Sequence, residues 1–298
     1  MKQQIDAYLN HLAVERGLSG NTIMAYRNDL YALQQHMDSR GRSDWPRVTT
    51  DDLADFALAL QEKGYSETTR ARKTAAVRSF FAFLVDDRVI DDSPAVELSA
   101  PKIGRSLPNA LTEDEVVRLL DAPMAVDTPE SRRDKAMLEL LYATGMRVSE
   151  LVSLKVSDAN LSGGFVRCIG KGNKERLIPF HEQAMDALEF YIDEGRDSFL
   201  SNNSKEQALF LNRRGEQLTR QGFWLILKEY ARKANISSPV TPHTLRHSFA
   251  THMLRGGASL RQVQEFLGHA SIASTQIYTH LTDDHLREQF EEAHPRGR

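Results

Sequence analysis

A helical spacing of apolar residues in the N-terminal third is the feature that most constrains how this chain folds. In residues 21–37 the apolar positions Ile23, Tyr26 and Leu30 begin a 3, 4, 3, 4 spacing, which places one apolar stripe along a helix. Further helical segments are predicted at residues 3–16, 50–63 and 68–85. Four short helices within residues 1–98 predict a small N-terminal helical bundle.

The helical spacing stops at a segment that contains several helix-breaking residues. Residues 99–109 have the sequence SAPKIGRSLPN, with two prolines, one glycine and two basic residues. Such a composition is typical of a connection between domains. A chain of 298 residues suits about two domains of roughly 150 residues each. We therefore expect a linker at residues 99–110 between a domain at residues 1–98 and a second domain at residues 111–298.

The second domain is predicted to combine helices with a small β-sheet. A capping box that begins at Thr112 starts one helix, and residues 133–143 form another that Gly145 ends. Two β-rich runs, residues 165–169 and 176–178, flank a glycine-containing turn and predict a β-hairpin.

Helices predominate after the hairpin. Thr241 and Pro242 have the pattern of a helix cap followed by proline at the first helical position. Ser259 and Gln262 form a second capping box, and Gly268 ends the helix that follows it. The predicted fold class is mainly α with a small β-sheet or hairpin, in which an N-terminal helical bundle precedes a mixed α+β domain.

Composition narrows the class of protein. The chain is 41% hydrophobic and 27% charged, as is typical of globular proteins. It contains no run that approaches the about 20 apolar residues of a membrane helix, and its first residues lack the apolar core of a signal peptide. The single cysteine, Cys168, excludes an internal disulfide and a cysteine-based zinc site, and fits a reducing compartment. We therefore expect a cytoplasmic protein.

Net charge, taken alone, argues against a nucleic-acid partner. The chain has 38 Lys and Arg against 41 Asp and Glu, a formal net charge of −3, whereas DNA-binding domains are usually basic. Locally positive stretches nevertheless occur at residues 63–78, 167–176, 213–233 and 243–261. Phosphate affinity depends on the charges at the interface. These stretches therefore supply candidate DNA-binding residues, namely Arg70, Arg72, Lys73, Lys174 and Arg220.

Two basic residues lie where the local sequence favours contact with an anion. Arg147 follows the predicted end of a helix, and Glu150, one turn later, can orient its guanidinium for bidentate phosphate binding. The alternative is an ordinary surface ion pair. Lys171 lies between Gly170 and Gly172, which allow a turn to approach a ligand closely. The alternative is a solvated lysine in a turn.

Histidines concentrate in the C-terminal part of the chain, where seven of the ten follow residue 242. His243 and Arg246 share one face near a helix N-terminus, which suits phosphate binding, although a capping histidine and a surface arginine have the same spacing. His243 and His247 have the i, i+4 spacing of some zinc sites, but Thr244 occupies the position of the metalloprotease glutamate. We therefore expect no metal.

Tyr278 is a candidate nucleophile. A tyrosine hydroxyl has an ordinary pKa of about 10 and becomes nucleophilic when neighbouring cations or a base activate it. His269 and His280 are candidate neighbours of its hydroxyl. The alternative is an ordinary tyrosine in the core or at its edge.

Together and in this order, these residues and their local sequences resemble the tyrosine recombinase (phage integrase) family, Xer type. The matching sequences are ATGMRVSEL around Arg147, GKGNKERLIP around Lys171, TPHTLRHSFATHML around His243 and Arg246, FLGHASI around His269, STQIYTHL around Tyr278, and the AHPR ending. The resemblance covers essentially the whole chain. It implies a SAM-like, core-binding DNA-binding domain at residues 1–98 and a catalytic tyrosine recombinase domain at residues 111–298.

The resemblance implies an enzyme that cuts and rejoins DNA with neither a metal nor ATP. Tyr278 is implied to attack a scissile phosphate, which gives a 3′-phosphotyrosyl bond and a free 5′-hydroxyl. Arg147 and Arg246 are implied to hold the phosphate oxygens. The other implied roles are protonation of the leaving 5′-oxygen by Lys171, assistance to proton transfer by His243, hydrogen bonding by His269 and orientation of Arg147 by Glu150.

The resemblance also implies partners and a cellular role. The implied working unit is a tetramer on double-stranded DNA at a specific recombination site, formed with a second Xer recombinase and activated by a septal DNA translocase. The implied process is the resolution of chromosome dimers at cell division. Leu286 and Phe290 form a candidate face for docking on a neighbouring protomer, and packing inside the same chain is the alternative.

Three other functions fit part of the pattern. A phage- or transposon-type integrase uses the same chemistry, and a type IB topoisomerase shares the tyrosine nucleophile but relaxes supercoils. A DNA-binding protein without catalytic activity belongs to a different class. Trapping of a covalent protein–DNA complex separates this last function from the enzymes.

Overall fold

The chain folds as two structural units, Met1–Ser106 and Leu107–Arg298. The structure is a computed structural model, which describes residues 1–101, 110–169, 175–200, 205–268, 290 and 293–296. Most of the predicted linker at residues 99–110 lies outside these residues. Each unit has a hydrophobic core of its own.

Four α-helices build the described part of the N-terminal unit, and all four follow the predicted apolar spacing. They are α1 (Lys2–Val14), α2 (Gly20–Ser39), α3 (Thr50–Glu62) and α4 (Glu67–Asp86). Ser19, Thr49 and Ser66 precede α2, α3 and α4, and each hydroxyl accepts a hydrogen bond from a backbone N–H of the first turn. The predicted helical segments are confirmed.

Aromatic side chains fill the core of the N-terminal unit. Trp45 packs edge-on against Phe80 and Phe81, with 4.9 and 5.8 Å between ring centroids, and all three residues are buried. The Trp45 indole N–H donates to the Met1 carbonyl oxygen at 3.0 Å, so that burial of this ring leaves its donor paired. The segment between α2 and α3 is therefore held against α4 and the start of α1.

A buried ion cluster joins α2 to α4. Asp29 on α2 is 1% exposed and accepts hydrogen bonds from Lys73 Nζ at 2.9 Å and from Arg72 Nη1. Lys73 Nζ also lies 5.2 Å from the centroid of the Tyr65 ring. Lys73 is only 5% exposed, and its ammonium group is paired with Asp29 inside the unit. This corrects the prediction that Lys73 binds DNA, because its ammonium group is not presented to a phosphate.

Helices also predominate in the second unit, with one small sheet among its described residues. The helices are α5 (Glu113–Asp121), α6 (Pro129–Thr144), α7 (Val148–Ser153), α8 (Glu182–Glu194), α9 (Arg220–Lys233), α10 (Pro242–Arg255) and α11 (Leu260–Leu267). The strands are β1 (Ala159–Asn160), β2 (Phe165–Ile169) and β3 (Glu175–Pro179). The predicted fold class, mainly α with a small sheet, is confirmed. In the part of the chain that the structure describes, no helix has the length and hydropathy needed to cross a membrane.

The three strands form an antiparallel sheet in the order β1-β2-β3. The predicted β2–β3 hairpin is confirmed, and its register pairs Cys168 with Arg176 and Ile169 with Glu175. Cys168 and Ile178 are fully buried on one face of the sheet, and burial raises the pKa of the Cys168 thiol to about 12. β1 was not predicted because two residues are too short to show an alternating pattern.

The helix α6 runs through the core of the second unit. Met137, Leu138, Leu140 and Leu141 follow one another around it and are all fully buried, which is typical of a helix surrounded by protein. The helix begins about one turn before the predicted start, because a hydroxyl cap at Thr128 and a proline after it favour initiation there.

Gly145 ends α6, as predicted, in a left-handed conformation with φ +58°. A Cβ atom at this position would lie 2.3 Å from Cδ1 of Phe249 on α10. Both the turn and the close approach of α10 therefore require glycine. The chain changes direction here and begins α7 immediately after Arg147.

The described C-terminal residues pack on the second unit itself. Phe290 is 1% exposed, and its ring lies 5.8 Å from that of Phe266. The backbone of Ala293 lies close to Gly256, where a Cβ would be 1.9 Å from the Ala293 carbonyl oxygen. Phe290 thus packs inside its own chain, which is the alternative to the predicted docking on a neighbouring protomer. Leu286 lies outside the described residues.

Replacement of Asp29 with Ala should destabilise the N-terminal unit by about 3–5 kcal/mol, because it leaves the Lys73 ammonium buried without a carboxylate. The measurement is urea unfolding of the full chain, followed by circular dichroism. Arg47→Ala is the control, since it removes only an exposed ion pair with Asp44 and should change stability little. Equal losses in the two variants would contradict this role of Asp29.

Candidate active site

Three guanidinium groups gather around one buried carboxylate where α6, α7, β3 and α10 meet. Glu150 on α7 accepts hydrogen bonds from Arg176 on β3, with Nη2–Oε2 and Nη1–Oε1 distances of 2.8 and 3.1 Å. Arg147 Nη1 donates to the same Oε1 at 3.2 Å. Arg246 on α10 supplies the third guanidinium. We call these four residues the arginine cluster.

The turn between α6 and α7 presents Arg147. Its backbone N–H donates to Glu150 Oε2 at 2.7 Å, which caps the start of α7. The Glu150 side chain is only 7% exposed, whereas that of Arg147 is 40% exposed. The contact between Arg147 and Glu150 that the sequence predicts is therefore present, and it leaves the guanidinium of Arg147 accessible to a ligand.

Arg246 connects the ends of two helices. Its Nη1 donates to the Gly145 carbonyl oxygen at 2.5 Å, and its Nη2 donates to the Leu267 carbonyl oxygen at 2.6 Å. Carbonyl groups at the C-terminal end of a helix have no partner within the helix, and they attract positive charge. The position of Arg246 is therefore set by the C-termini of α6 and α11.

The arginine cluster has more positive than negative charge. Burial, followed by the charge of Arg147, lowers the pKa of Arg246 to about 10, and the charge of Arg176 contributes in the same direction. Arg246 still remains protonated at neutral pH. With three guanidinium groups and one carboxylate, the cluster favours an anion such as a phosphate.

The ionised form of Glu150 is stabilised within this cluster. Burial acts to raise the pKa of Glu150, but hydrogen bonds from Arg176 and from the Arg147 backbone N–H, together with both positive charges, lower it overall. The carboxylate is therefore charged at neutral pH and accepts hydrogen bonds from both arginines.

His243 lies on the first turn of α10 and is exposed. Thr241 caps this helix by accepting a hydrogen bond from the Thr244 backbone N–H at 3.1 Å, and proline follows at the first helical position, as predicted. The helix N-terminus and His243 thus lie within one turn of Arg246. Among the described residues, no group of three or more His, Cys, Asp or Glu is arranged to hold a metal ion.

Four of the predicted site residues lie outside the described residues, namely Lys171, Lys174, His269 and Tyr278. Two described residues, Arg176 after Lys174 and Gly268 before His269, border the arginine cluster. Arg176 follows the first residue of β3, and the backbone of Gly268 lies against its guanidinium, where a Cβ would be 2.9 Å from Arg176 Cζ. The structure therefore brings together Arg147, Glu150 and Arg246, and places Gly268, the residue before His269, beside them.

The remaining predicted DNA-binding residues differ in their availability. Arg220 is exposed at the first position of α9. Arg72 is exposed, although Asp29 holds one of its nitrogens. Arg70 is half-buried and donates to Gln61 Oε1 at 2.9 Å. Arg220 and Arg72 are thus accessible to a phosphate.

Sequence reasoning missed Arg176, which contributes two of the hydrogen bonds to Glu150. A signal was present in the strand, because residues two apart point to the same face of a sheet. Arg176 therefore shares a face with the buried Ile178, and its side chain is 13% exposed. An arginine on the buried face of a strand predicts an internal acceptor, but the sequence does not say which one.

Two family descriptions match the chain. "Phage integrase, N-terminal SAM-like domain" matches residues 5–88, and "Phage integrase family" matches residues 109–285. The second match includes all four residues of the arginine cluster together with Lys171, His243, His269 and Tyr278.

Curated relatives match over nearly their full length. The chain is 54% identical to "Tyrosine recombinase XerC" of Herpetosiphon aurantiacus over 95% of this chain and 92% of the relative. It is 47% identical to "Tyrosine recombinase XerD" of Oceanobacillus iheyensis over the whole of both chains.

A solved structure shares the fold. It is the XerH site-specific recombinase bound to a palindromic difH substrate in a post-cleavage complex, with a TM-score of 0.70. The two chains are 23% identical, and the match covers 97% of this chain and 83% of XerH. At this identity the likeness concerns the fold alone.

Sulfate should bind at the arginine cluster and stabilise the second unit, because the cluster has excess positive charge. At ten times its dissociation constant, a bound anion adds about 1.4 kcal/mol of stability. The measurement is thermal unfolding in sodium sulfate against sodium chloride at equal ionic strength, for the unchanged protein and for Arg246→Gln. Arg132→Gln is the control, since Arg132 pairs with Asp127 away from the cluster. An equal response in the two variants would contradict an anion site at Arg246.

Proposed function

The chain belongs to the phage integrase family and is a DNA strand-transferring tyrosine recombinase of the Xer type, and we propose that it recombines duplex DNA at a specific site through a 3′-phosphotyrosyl bond to Tyr278. The observation that carries the assignment of the site is the arginine cluster, in which Arg147 and Arg176 hydrogen-bond the Glu150 carboxylate and Arg246 interacts with it electrostatically. Such a group of fixed cations suits a phosphate whose negative charge increases during reaction.

The two structural units are proposed to have separate functions, DNA binding and catalysis. Residues 1–98 form the core-binding, SAM-like domain, residues 99–110 the linker and residues 111–298 the catalytic domain. The family matches at residues 5–88 and 109–285 support this division. Arg70 and Arg72 in the first domain, and Lys174 and Arg220 in the second, are the proposed contacts to the DNA backbone.

Arg147 and Arg246 are proposed to hold the non-bridging oxygens of the scissile phosphate. A guanidinium has five N–H donors, so Arg246 keeps donors free after its two hydrogen bonds to carbonyl oxygens. Positions fixed before the substrate arrives require little reorganisation as charge develops. The two arginines thereby supply the stabilisation that Mg²⁺ supplies in other phosphoryl-transfer sites, and the proposal includes no cofactor.

The remaining roles complete the bond and proton balance. The Tyr278 phenolic oxygen forms a bond to phosphorus, and the bond from phosphorus to the 5′-oxygen breaks. His243 assists removal of the phenolic proton, Lys171 donates a proton to the leaving 5′-oxygen, and His269 hydrogen-bonds the phosphate or positions the nucleophile. The phosphodiester is conserved in the phosphotyrosyl bond, so a 5′-hydroxyl of another strand can reverse the step without ATP.

The proposed cellular role is resolution of chromosome dimers at cell division, in the cytoplasm. XerC- and XerD-named relatives that match over most or all of the chain support this role. The proposed assembly is a tetramer on two DNA duplexes with a second Xer recombinase, activated by a septal DNA translocase. Mapping of bound DNA in cells tests it, and a single chromosomal site near the replication terminus is the expected result.

Tyr278→Phe should bind DNA normally but form no covalent complex, because the substitution removes only the attacking oxygen. The measurement is a denaturing gel of protein incubated with a nicked suicide substrate in EDTA. The unchanged protein should form the complex under the same conditions. Covalent product with the Phe variant would exclude Tyr278 as the nucleophile, and loss of the unchanged protein's activity in EDTA would exclude the metal-free mechanism.

DNA binding should weaken steeply with salt despite the net charge of −3. Arg220→Ala should weaken binding to all sequences alike and reduce the slope of log affinity against log salt by about one. The measurement is fluorescence anisotropy of labelled duplex DNA between low and physiological salt. Arg132→Ala is the control, because its carboxylate partner Asp127 already engages that guanidinium. An unchanged slope with Arg220→Ala would remove Arg220 from the DNA interface.

A further inference from the structure

Arg176 contacts two parts of the second unit with one guanidinium. Its Nη1 and Nη2 donate to the two carboxylate oxygens of Glu150 at 3.1 and 2.8 Å. Its Nε donates to the Phe266 carbonyl oxygen in the last turn of α11 at 3.3 Å. Arg176 itself lies on β3, next to its first residue. One side chain therefore links the hairpin, the start of α7 and the end of α11.

The end of α11 depends on Arg176 and Arg246 together. Arg176 donates to the Phe266 carbonyl oxygen, and Arg246 donates to that of Leu267. Gly268 then turns the chain with φ +63°, a left-handed conformation that favours glycine, and a Cβ there would lie 2.9 Å from Cζ of Arg176. The C-terminal carbonyl groups of α11 are thus held by two cations on two other elements.

This geometry requires arginine. A guanidinium presents its donors in a planar fork that matches a carboxylate, while its Nε remains free to bond elsewhere. A lysine ammonium in the same place keeps the charge but has no fixed fork. Glu150 and Arg176 both have low side-chain exposure, 7% and 13%. Because burial of an ion pair is a weak source of stability, the pair is better explained by the geometry that it imposes.

We propose that Arg176 is a positioning residue for strand cleavage, which holds Glu150, and through Glu150 the phosphate-binding Arg147, in a fixed place against the end of α11. The inference rests on the proposed function, since that assigns Arg147 to the scissile phosphate. Arg176 does not touch the phosphate in this proposal. Arg176 determines the position of the Arg147 guanidinium when the phosphate binds.

A pH dependence follows from the groups that face Glu150. Arg147 precedes α7, Arg176 lies on β3 and Arg246 on α10, and the buried Cys168 thiol on β2 is neutral. Loss of Arg176 removes its hydrogen bonds and its charge, so the pKa of Glu150 rises. The folded form of the variant then loses the ionised carboxylate as pH falls, at pH values where the unchanged protein retains it. Its cleavage rate should therefore decline on the acid side.

The test compares Arg176→Met, Arg176→Lys, Glu150→Gln and the double variant Glu150→Gln/Arg176→Met with the unchanged full-length protein. Arg132→Met is the matched control, since Arg132 also binds a carboxylate with two nitrogens and is 16% exposed, but lies outside the arginine cluster. The measurements are DNA affinity and the single-turnover rate of covalent-complex formation on a suicide substrate between pH 5 and pH 8.

Arg176→Met should bind DNA with an affinity close to that of the unchanged protein but cleave up to about 100-fold more slowly, because displacement of a reacting group by about 1 Å costs that much. Its deficit should grow as pH falls. Arg176→Lys should be intermediate and keep the pH profile of the unchanged protein, because it retains the charge. The double variant should be no slower than Glu150→Gln alone, and Arg132→Met should cleave normally.

Three results would overturn the inference. The first is a normal rate and pH profile in Arg176→Met or, if the Met variant does not fold, a normal rate in Arg176→Lys. The second is a double variant slower than Glu150→Gln by the full factor of Arg176→Met, since Arg176 would then act independently of Glu150. The third is an equal loss in Arg132→Met. Failure of the unchanged protein to form any covalent complex would instead contradict the proposed function.

Discussion

A buried carboxylate requires hydrogen-bond donors, and the arrangement of the candidate active site follows from that requirement at Glu150. Its oxygens accept from the Arg147 backbone, from the Arg147 guanidinium and from both Arg176 nitrogens. These hydrogen bonds form only when the elements that carry the donors are held in fixed positions. The start of α7, the hairpin and the end of α11 are therefore positioned by one side chain and its partners. Arg246 then completes a site with an excess of positive charge.

Local charge and burial decide which basic residues are accessible to a phosphate. The formal net charge of −3 does not reveal which residues are accessible, because it sums charges over the whole chain, including surfaces that do not contact a phosphate. Lys73 and Arg72 are neighbours on α4 and share Asp29 as a partner, yet Lys73 is buried and Arg72 is exposed. A count of basic residues in a stretch therefore overestimates the groups available for binding. The distinction appears only when the partner of each charge is known.

Signals that lie within a few residues predicted most of the fold. Helix caps at Thr112, Thr241 and Ser259 are short patterns whose hydrogen bonds form inside one turn, so no distant residue is needed to recognise them. Gly145 and Gly268 end their helices for a similarly local reason, a left-handed backbone conformation. β1 was missed because its two residues form a strand only by pairing with β2. α6 begins four residues before its predicted start, because the cap at Thr128 and the proline after it favour initiation of the helix there.

By itself, the sequence determined the helices, the hairpin, the mainly α fold class and the pairing of Arg147 with Glu150, because each depends on residues within a few positions. Only the tertiary structure brought Arg176, Arg246 and the end of α11 to that pair, through contacts such as those of Arg176 with Glu150 and Phe266, which span 26 and 90 residues. It also placed Phe290 inside its own chain and turned Lys73 inward. Contacts between distant segments depend on how whole elements pack. An arginine can donate hydrogen bonds to many carboxylates and carbonyl oxygens, and the residues around it in the sequence do not identify the acceptor that packing brings to it.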